Sequence, residues 1–146
     1  MNAGDGFWLR INRVLPAPRT EIWTAMTDPA QVRRWWGPKG FSVPTLEFEP
    51  AVGKSLRITM QPPEGDVFHL DGEFREVDPP SLLAFTFRWD PPEPDDRETV
   101  VTLSVRDRGP RTEVDLEQGG FATQKRLTLH DDGWSESFEK LEELLG

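Results

Sequence analysis

The sequence of 146 residues contains no cysteine and no tyrosine. The first absence excludes disulfide bonds, thiolate metal ligands and a cysteine nucleophile, and it is compatible with a reducing compartment. The second removes the phenol group as a catalytic acid. No apolar run approaches the roughly 20 residues that a membrane-spanning helix needs, and the opening MNAGDGFW lacks the basic-then-apolar order of a secretion signal. We therefore expect a cytoplasmic protein without membrane insertion.

Positive charge is also scarce. The chain has 17 lysines and arginines against 26 aspartates and glutamates, which gives a net charge of -9. Nucleic-acid binding depends on basic groups that displace counterions from phosphates, so we expect no nucleic-acid partner. The basic residues of the first quarter are interpreted as a solvated surface: Arg10, Arg13, Arg19, Arg33, Arg34 and Lys39.

Large apolar side chains, in contrast, are abundant. The sequence contains 6 tryptophans and 9 phenylalanines, and 36% of its residues are hydrophobic. This is enough apolar surface to offset the entropy of ordering a chain of this length. Because the length lies near the most common domain size, we expect a single domain over residues 1–146.

The first quarter of the chain favours one strand followed by two short helices. Apolar and polar residues alternate from Phe7 to Val14, which predicts a half-buried strand with Phe7, Leu9 and Ile11 on one side. Pro18 suits the first turn of a helix. Asp28 is a typical amino-terminal cap, so a second helix is predicted from Pro29 to about Trp35.

The rest of the chain has two further patterns. From Thr45 onward, alternation with period two between glycine and proline turns predicts an antiparallel meander, with about seven strands in all. Near the carboxyl end, the spacing changes to three or four, which predicts a long amphipathic helix. Gly133 in this helix costs about 1 kcal/mol relative to alanine, which indicates that room is needed beside Trp134. The apolar stripe is Leu127, His130, Trp134, Phe138, Leu141 and Leu145.

These elements predict an α+β fold in which a curved antiparallel sheet packs against one long helix. Three segments carry a resemblance to a known group: RVLPAPRTEIWTAMTDPAQVRRWWGP, GEFREVDPPSLLAFTFRW and HDDGWSESFEKLEELL. They resemble the helix-grip fold of START-like (Bet v-like, SRPBCC) proteins, and within it the family of activator of heat-shock protein 90 ATPase homologues. The resemblance implies a sheet of about seven strands wrapped around the carboxy-terminal helix. It also implies a cavity between them for a hydrophobic or amphipathic molecule.

The aromatic residues favour the same cavity independently. Bulky rings on one strand face Trp134 and Phe138 on the helix, and they are too large to pack closely everywhere; a tightly filled aromatic core is the alternative. The adjacent Trp35 and Trp36 point about 100° apart on a helix, so they cannot face the same way unless the helix ends between them. We expect at least one of them to be buried, because leaving both in water would forgo a sizeable part of the net stability. The predicted lining is Trp35, Trp36, Phe41, His69, Phe87, Trp89, Phe121, Trp134 and Phe138.

Other functions remain open at this point. His69 and Asp71 lie on the same side of a strand and form the minimum pair for acid-base chemistry. The resemblance implies a cofactor-free cyclase or hydrolase as an alternative, since related folds include such enzymes, and this pair would then be the candidate. His130 is interpreted as a core or boundary group. No nucleophile elbow, phosphate loop or histidine pair at metal-ligand spacing is present, so we expect no metal and no cofactor. The resemblance also implies a chaperone partner as an alternative, and we expect a monomer or weak homodimer.

Overall fold

The computed structural model describes residues 6–146. The expectation about a secretion signal falls partly on residues 1–5, which lie outside the described residues. The elements occur in the order β1 (Phe7–Leu15), α1 (Arg19–Thr27), α2 (Pro29–Trp35), β2 (Ser42–Phe48), β3 (Ser55–Gln61), β4 (Phe68–Asp78), β5 (Leu82–Asp90), β6 (Thr99–Arg108), β7 (Arg111–Phe121) and α3 (Gln124–Leu145).

All described strands form one antiparallel sheet of seven strands in the order β1-β7-β6-β5-β4-β3-β2. Strands β2 to β6 each pair with the next strand along the chain, and β1 pairs with β7. The chain therefore leaves the sheet after β1, forms the two short helices and returns at the opposite edge. The predicted α+β architecture is confirmed, including the strand number, the two short helices and the long final helix.

The inner face of the sheet follows the predicted alternation, with one exception. In β5 the apolar positions Leu83, Phe85 and Phe87 are buried, as expected. In β1 Leu9 is buried, but Phe7 is 44% exposed. The reason is a shift of the β1-β7 register between Phe7 and Leu9, which interrupts the alternation at the start of the strand. The prediction that Phe7 shares the buried side was wrong.

The two short helices begin and end where local chemistry places their boundaries. The Asp28 carboxylate accepts a hydrogen bond from the Ala30 amide at 3.1 Å, and Pro29 occupies the start of α2. The helix ends at Trp35 because Trp36 is extended and Gly37 has a φ of +92°. This conformation favours glycine. The predicted span from Pro29 to Trp35 is confirmed.

The final helix α3 is capped by Thr123, whose hydroxyl oxygen accepts a hydrogen bond from the Arg126 amide at 3.1 Å. Its buried side includes Trp134, in agreement with the helical spacing. The reason proposed for Gly133 needs correction: a methyl group there would meet only Pro38, at 3.9 Å, so no neighbouring protein group requires a glycine. Of the helices in residues 6–146, none combines the length and apolar composition that crossing a bilayer requires.

Candidate functional site

A pocket of about 560 Å³ lies between the sheet, α3 and the loop that follows α2. Its volume falls within the range of small-molecule sites, roughly 300 to 1,000 Å³. Exposed apolar side chains border it, among them Val67 and Leu129, so the pocket opens to solvent. Most of the wall is apolar, and its aromatic members are Trp36, Phe41, Phe68, Phe87, Trp89 and Trp134.

Six of the nine residues that the sequence predicted for the cavity lie along this pocket. The period-two pattern of β5 and the helical stripe of α3 bring most of them together, because both apolar faces are turned toward the same interior. The loop after α2 contributes Trp36 and Phe41, and β4 contributes His69. The six residues are Trp36, Phe41, His69, Phe87, Trp89 and Trp134.

The other three predicted residues are buried but do not line the pocket. Trp35 donates from its Nε1 to the carbonyl oxygen of Ala25 at 2.8 Å, so this indole ties α2 to α1. Phe121 packs against His130, with ring centroids 4.8 Å apart. Phe138 lies next to the lining residue Trp134, with ring centroids 6.5 Å apart. These three rings are core residues that support the pocket from outside its lining.

The adjacent Trp35 and Trp36 diverge because α2 ends between them. Trp35 is the last helical residue, whereas Trp36 has φ -67° and ψ 135°. Their exposed fractions are 2% and 4%, so both indoles are buried. An arginine next to them in sequence therefore has no exposed indole face to stack on. Trp36 packs edge-on against Trp134, with ring centroids 5.0 Å apart, and this contact joins the loop side of the pocket to the helix side.

A buried chain of hydrogen bonds fixes the orientation of Trp134. Its Nε1 donates to Gln118 Oε1 at 2.8 Å, and Gln118 Nε2 donates to Thr99 Oγ1 at 2.9 Å. Gln118 is fully buried, and both the oxygen and the nitrogen of its side-chain amide form hydrogen bonds. Because a buried polar group without a partner is costly, this chain strongly favours one position of the indole.

His130 is the titratable group within the aromatic wall. Its Nε2 accepts a hydrogen bond from Trp89 Nε1 at 3.1 Å, and the ring centroid lies 5.1 Å from that of Phe87. Burial, together with the smaller effect of the positive charge on Arg126, lowers the pKa of His130 from 6.5 to about 4. The imidazole is therefore neutral at pH 7. Since an indole N–H can only donate, the proton of this neutral imidazole is on Nδ1.

The pair His69 and Asp71 does not form the predicted acid-base arrangement. His69 borders the pocket, but its Nδ1 lies 2.9 Å from Thr59 Oγ1. Asp71 forms a salt bridge with Arg57 and lies away from the pocket lining. Strand alternation places both side chains on the face of β4 opposite the buried Leu70. Neither group is oriented by the other, so the geometry supplies no catalytic pair here.

The loop after α2 is fastened to α3 by polar contacts. Lys140 Nζ donates to the carbonyl oxygens of Trp36, Gly37 and Pro38 at 3.2, 3.1 and 3.4 Å. Burial lowers the pKa of Lys140. The Ser137 hydroxyl donates to the Gly37 carbonyl at 3.0 Å. The loop and the helix thus form a connected wall, in which a lysine satisfies three backbone acceptors at the end of α2.

Charged side chains border the pocket mouth, and four of the five are acidic: Asp66, Asp90, Glu93, Asp96 and Arg126. Within residues 6–146, no group of three or more histidine, cysteine, aspartate or glutamate side chains is placed to hold a metal ion. The chemistry of the pocket is thus that of an apolar site with an acidic mouth.

The sequence from residue 16 to residue 146 matches the family of Activator of Hsp90 ATPase homolog 1-like proteins. The chain belongs to this family. A comparison with curated proteins finds no match. The match begins after β1 and covers both short helices, six strands and α3, so it includes every residue that lines the pocket.

Solved structures of similar proteins agree with the helix-grip fold of this family. The AHSA1 protein of Silicibacter pomeroyi has a TM-score of 0.84 at 26% identity, covering 94% of this chain and 96% of that chain. A protein of Mesorhizobium loti has a TM-score of 0.79 at 29% identity, with the same coverage of both chains. A protein of Chromobacterium violaceum, at 23% identity and a TM-score of 0.84, supports the fold alone. The predicted START-like fold is confirmed.

Several lining residues of this family member were not predicted from its sequence. Met60 and Phe68 border the pocket from β3 and β4, and their signal was available: Phe68 has the same strand parity as the buried Leu70. His130 lay on the recognised helical stripe but was interpreted as a core group. Arg126 was overlooked although it stands four residues before His130 and therefore shares that face of α3, because only the uncharged residues of the face were taken as the stripe.

Proposed function

We propose that this pocket binds a small hydrophobic or amphipathic molecule, and that such binding is the function of the chain. The observation that carries the proposal is an aromatic pocket of about 560 Å³ that the side chains of the protein leave unfilled. Protein interiors are normally packed with few voids, and the lining of a void loses contact energy. A bound molecule would restore those contacts.

The fixed positions of the wall residues support the proposal. The indole of Trp134 is held through Gln118, and that of Trp89 donates to His130. The loop that carries Trp36 is held by Lys140. These contacts prevent the rings from collapsing into the open space, and a site with an organised wall loses less entropy when it binds a ligand.

Gly133 is a further argument for a space that is kept open. The glycine borders the pocket, and it weakens α3 by about 1 kcal/mol relative to alanine although an added methyl group would fit. A side chain longer than a methyl group at this position would occupy pocket volume. We interpret the glycine as the residue that leaves this volume to a ligand.

A titration with N-phenyl-1-naphthylamine, a neutral fluorescent probe, tests the proposal. We expect saturable binding to the wild-type protein and strongly reduced binding to Gly133→Leu, because the leucine side chain enters the pocket. Asp132→Leu is the matched control, since it adds a leucine at the adjacent exposed position of α3 outside the lining. Circular dichroism establishes that both variants fold.

Two results of this titration would contradict the proposal. The first is an absence of saturable probe binding to the wild-type protein, followed by no binder in a library of aromatic and lipid molecules. The second is equal binding to Gly133→Leu and Asp132→Leu. We do not extend the proposal to catalysis, because His69 and Asp71 are not assembled as a pair.

A further inference from the structure

We propose that the pocket takes an amphipathic cation, in which an amine or quaternary ammonium head is attached to an aromatic or hydrocarbon body. This inference rests on the proposed function, because it names the ligand class of the same pocket. It follows from two independent features: the charges at the mouth and the rings of the wall.

Carboxylates outnumber cationic side chains at the mouth. Arg126 is the only lysine or arginine among residues 6–146 that lines the pocket. Within the same part of the chain, Asp66 and Glu93 form no salt bridge. Both are exposed and face solvent. Two carboxylates are therefore free to attract a positively charged head group.

The one cationic side chain of the lining is already engaged. Arg126 Nε lies 3.0 Å from Asp95 Oδ1 and 3.3 Å from Asp96 Oδ1. The Arg126 contact lowers the pKa of Asp95, which keeps that carboxyl ionised. The wall residue His130 is neutral near pH 7, since burial lowers its pKa to about 4.

An anionic head group would consequently be disfavoured at this mouth. A carboxylate, sulfate or phosphate needs a cationic partner or several donors to replace its water. Among the described lining residues it would find a single guanidinium that two aspartates already occupy. The remaining acids would repel it, and the net charge of -9 adds to this repulsion.

The aromatic wall suits a cation as well as an apolar body. The face of an aromatic ring carries negative potential and attracts a cation within about 6 Å of its centre. At the solvent side of the pocket, the exposed Phe68 lies 6.2 Å from Phe41 and 6.1 Å from Trp89 between ring centroids. A head group at these three rings would contact them beside the carboxylates, while its body reached the buried Trp134.

Three ligands with the same twelve-carbon alkyl chain test the charge preference: dodecyltrimethylammonium, 1-dodecanol and tridecanoate. The two ions are used below their micellar concentrations and the alcohol below its solubility limit. Displacement of bound N-phenyl-1-naphthylamine gives their relative affinities at constant ionic strength. We expect the cation to bind about tenfold more tightly than the alcohol, the combined effect of ring and carboxylate contacts. The carboxylate is expected to bind more weakly than the alcohol.

A double variant, Asp66→Asn with Glu93→Gln, locates the source of the preference. It removes both unpaired carboxylates with little change in side-chain size, and we expect the cation preference to fall severalfold. The matched control is Glu142→Gln with Glu143→Gln, which changes the net charge equally on exposed positions near the end of α3. This control is expected to retain the wild-type preference.

Each outcome separates the two proposals. If the probe binds and the three ligands compete equally, or the anion competes best, the inference about the cation is wrong while the proposed function stands. If neither the probe nor any of the three ligands binds, the proposed function fails with it. If both double variants lose the preference to the same extent, overall charge causes it, and the assignment to Asp66 and Glu93 is wrong.

Discussion

The pH dependence of stability is the most direct test of the pocket wall, because a single imidazole controls it in a narrow window. His130 is buried, and its pKa falls from 6.5 to about 4 in the folded protein. Above about pH 6.5 the imidazole is neutral in the folded and the unfolded chain, so it adds no pH dependence there. As the pH falls below this value, the unfolded chain binds a proton that the folded protein does not bind.

The free energy of unfolding must therefore decrease as the solution becomes more acidic, down to about pH 4. One pKa unit corresponds to about 1.4 kcal/mol, so the full loss approaches about 3 kcal/mol. Between about pH 7.5 and about pH 5, the same linkage gives a loss of about 2 kcal/mol. Carboxyls with a lowered pKa, such as Asp95 and Asp115, lose their contribution only below their ordinary values near 3.8.

Urea denaturation followed by far-ultraviolet circular dichroism measures this loss at the two pH values. His130→Gln removes the titrating group and retains an acceptor for Trp89, and its stability should change little over the window. His69→Gln is the control: it removes the other histidine and should keep the wild-type slope. The reasoning is refuted if the wild-type protein and His130→Gln lose the same free energy between the two pH values.

Three further predictions concern the wall and its supports, each measured by urea denaturation at neutral pH. Gly133→Ala should raise the free energy of unfolding by about 0.5 to 1 kcal/mol, because the methyl group meets only Pro38 at 3.9 Å; a decrease would show that the position cannot hold a side chain. Gln118→Met should lower the free energy of unfolding by about 2 kcal/mol or more, since it leaves Trp134 Nε1 and Thr99 without partners; a loss no larger than that of the exposed control Glu117→Met would contradict this. Lys140→Met should lower the free energy of unfolding by about 1 kcal/mol, because three contacts with carbonyl oxygens are lost. This loss should be clearly larger than that of Lys39→Met, which removes only an exposed salt bridge. Equal losses would show that the contacts of Lys140 with the loop after α2 do not stabilise the fold.

The fold was accessible from the sequence because its signals are local. The apolar stripe of β5 and the cap at Asp28 are set by neighbouring residues. Both recur in the structure, although Ala84 and Thr86 on the other face of β5 are buried as well. The register shift at Phe7 was not accessible, because it depends on how β1 meets β7. Local patterns therefore define elements, while pairing between distant strands adjusts their ends.

The lining was harder to predict, because it depends on which way each ring turns after the elements have packed. Trp35 and Trp36 are identical in type and adjacent in sequence, yet the end of α2 sends only the second to the pocket. Phe121 is buried like a lining residue but lies behind His130. His69 borders the pocket although its side chain lies on the face of β4 opposite the buried Leu70, and that face could have been inferred from strand parity.

The presence of Trp36, Trp89 and Trp134 in the lining gives the molecule an intrinsic optical reporter. Half of its 6 indoles surround the space in which we expect a ligand, and there is no tyrosine to contribute background emission. An occupant that excludes water from these rings or quenches their excited states should change the emission spectrum directly. Label-free titration of the purified, unmodified chain with small molecules is therefore feasible.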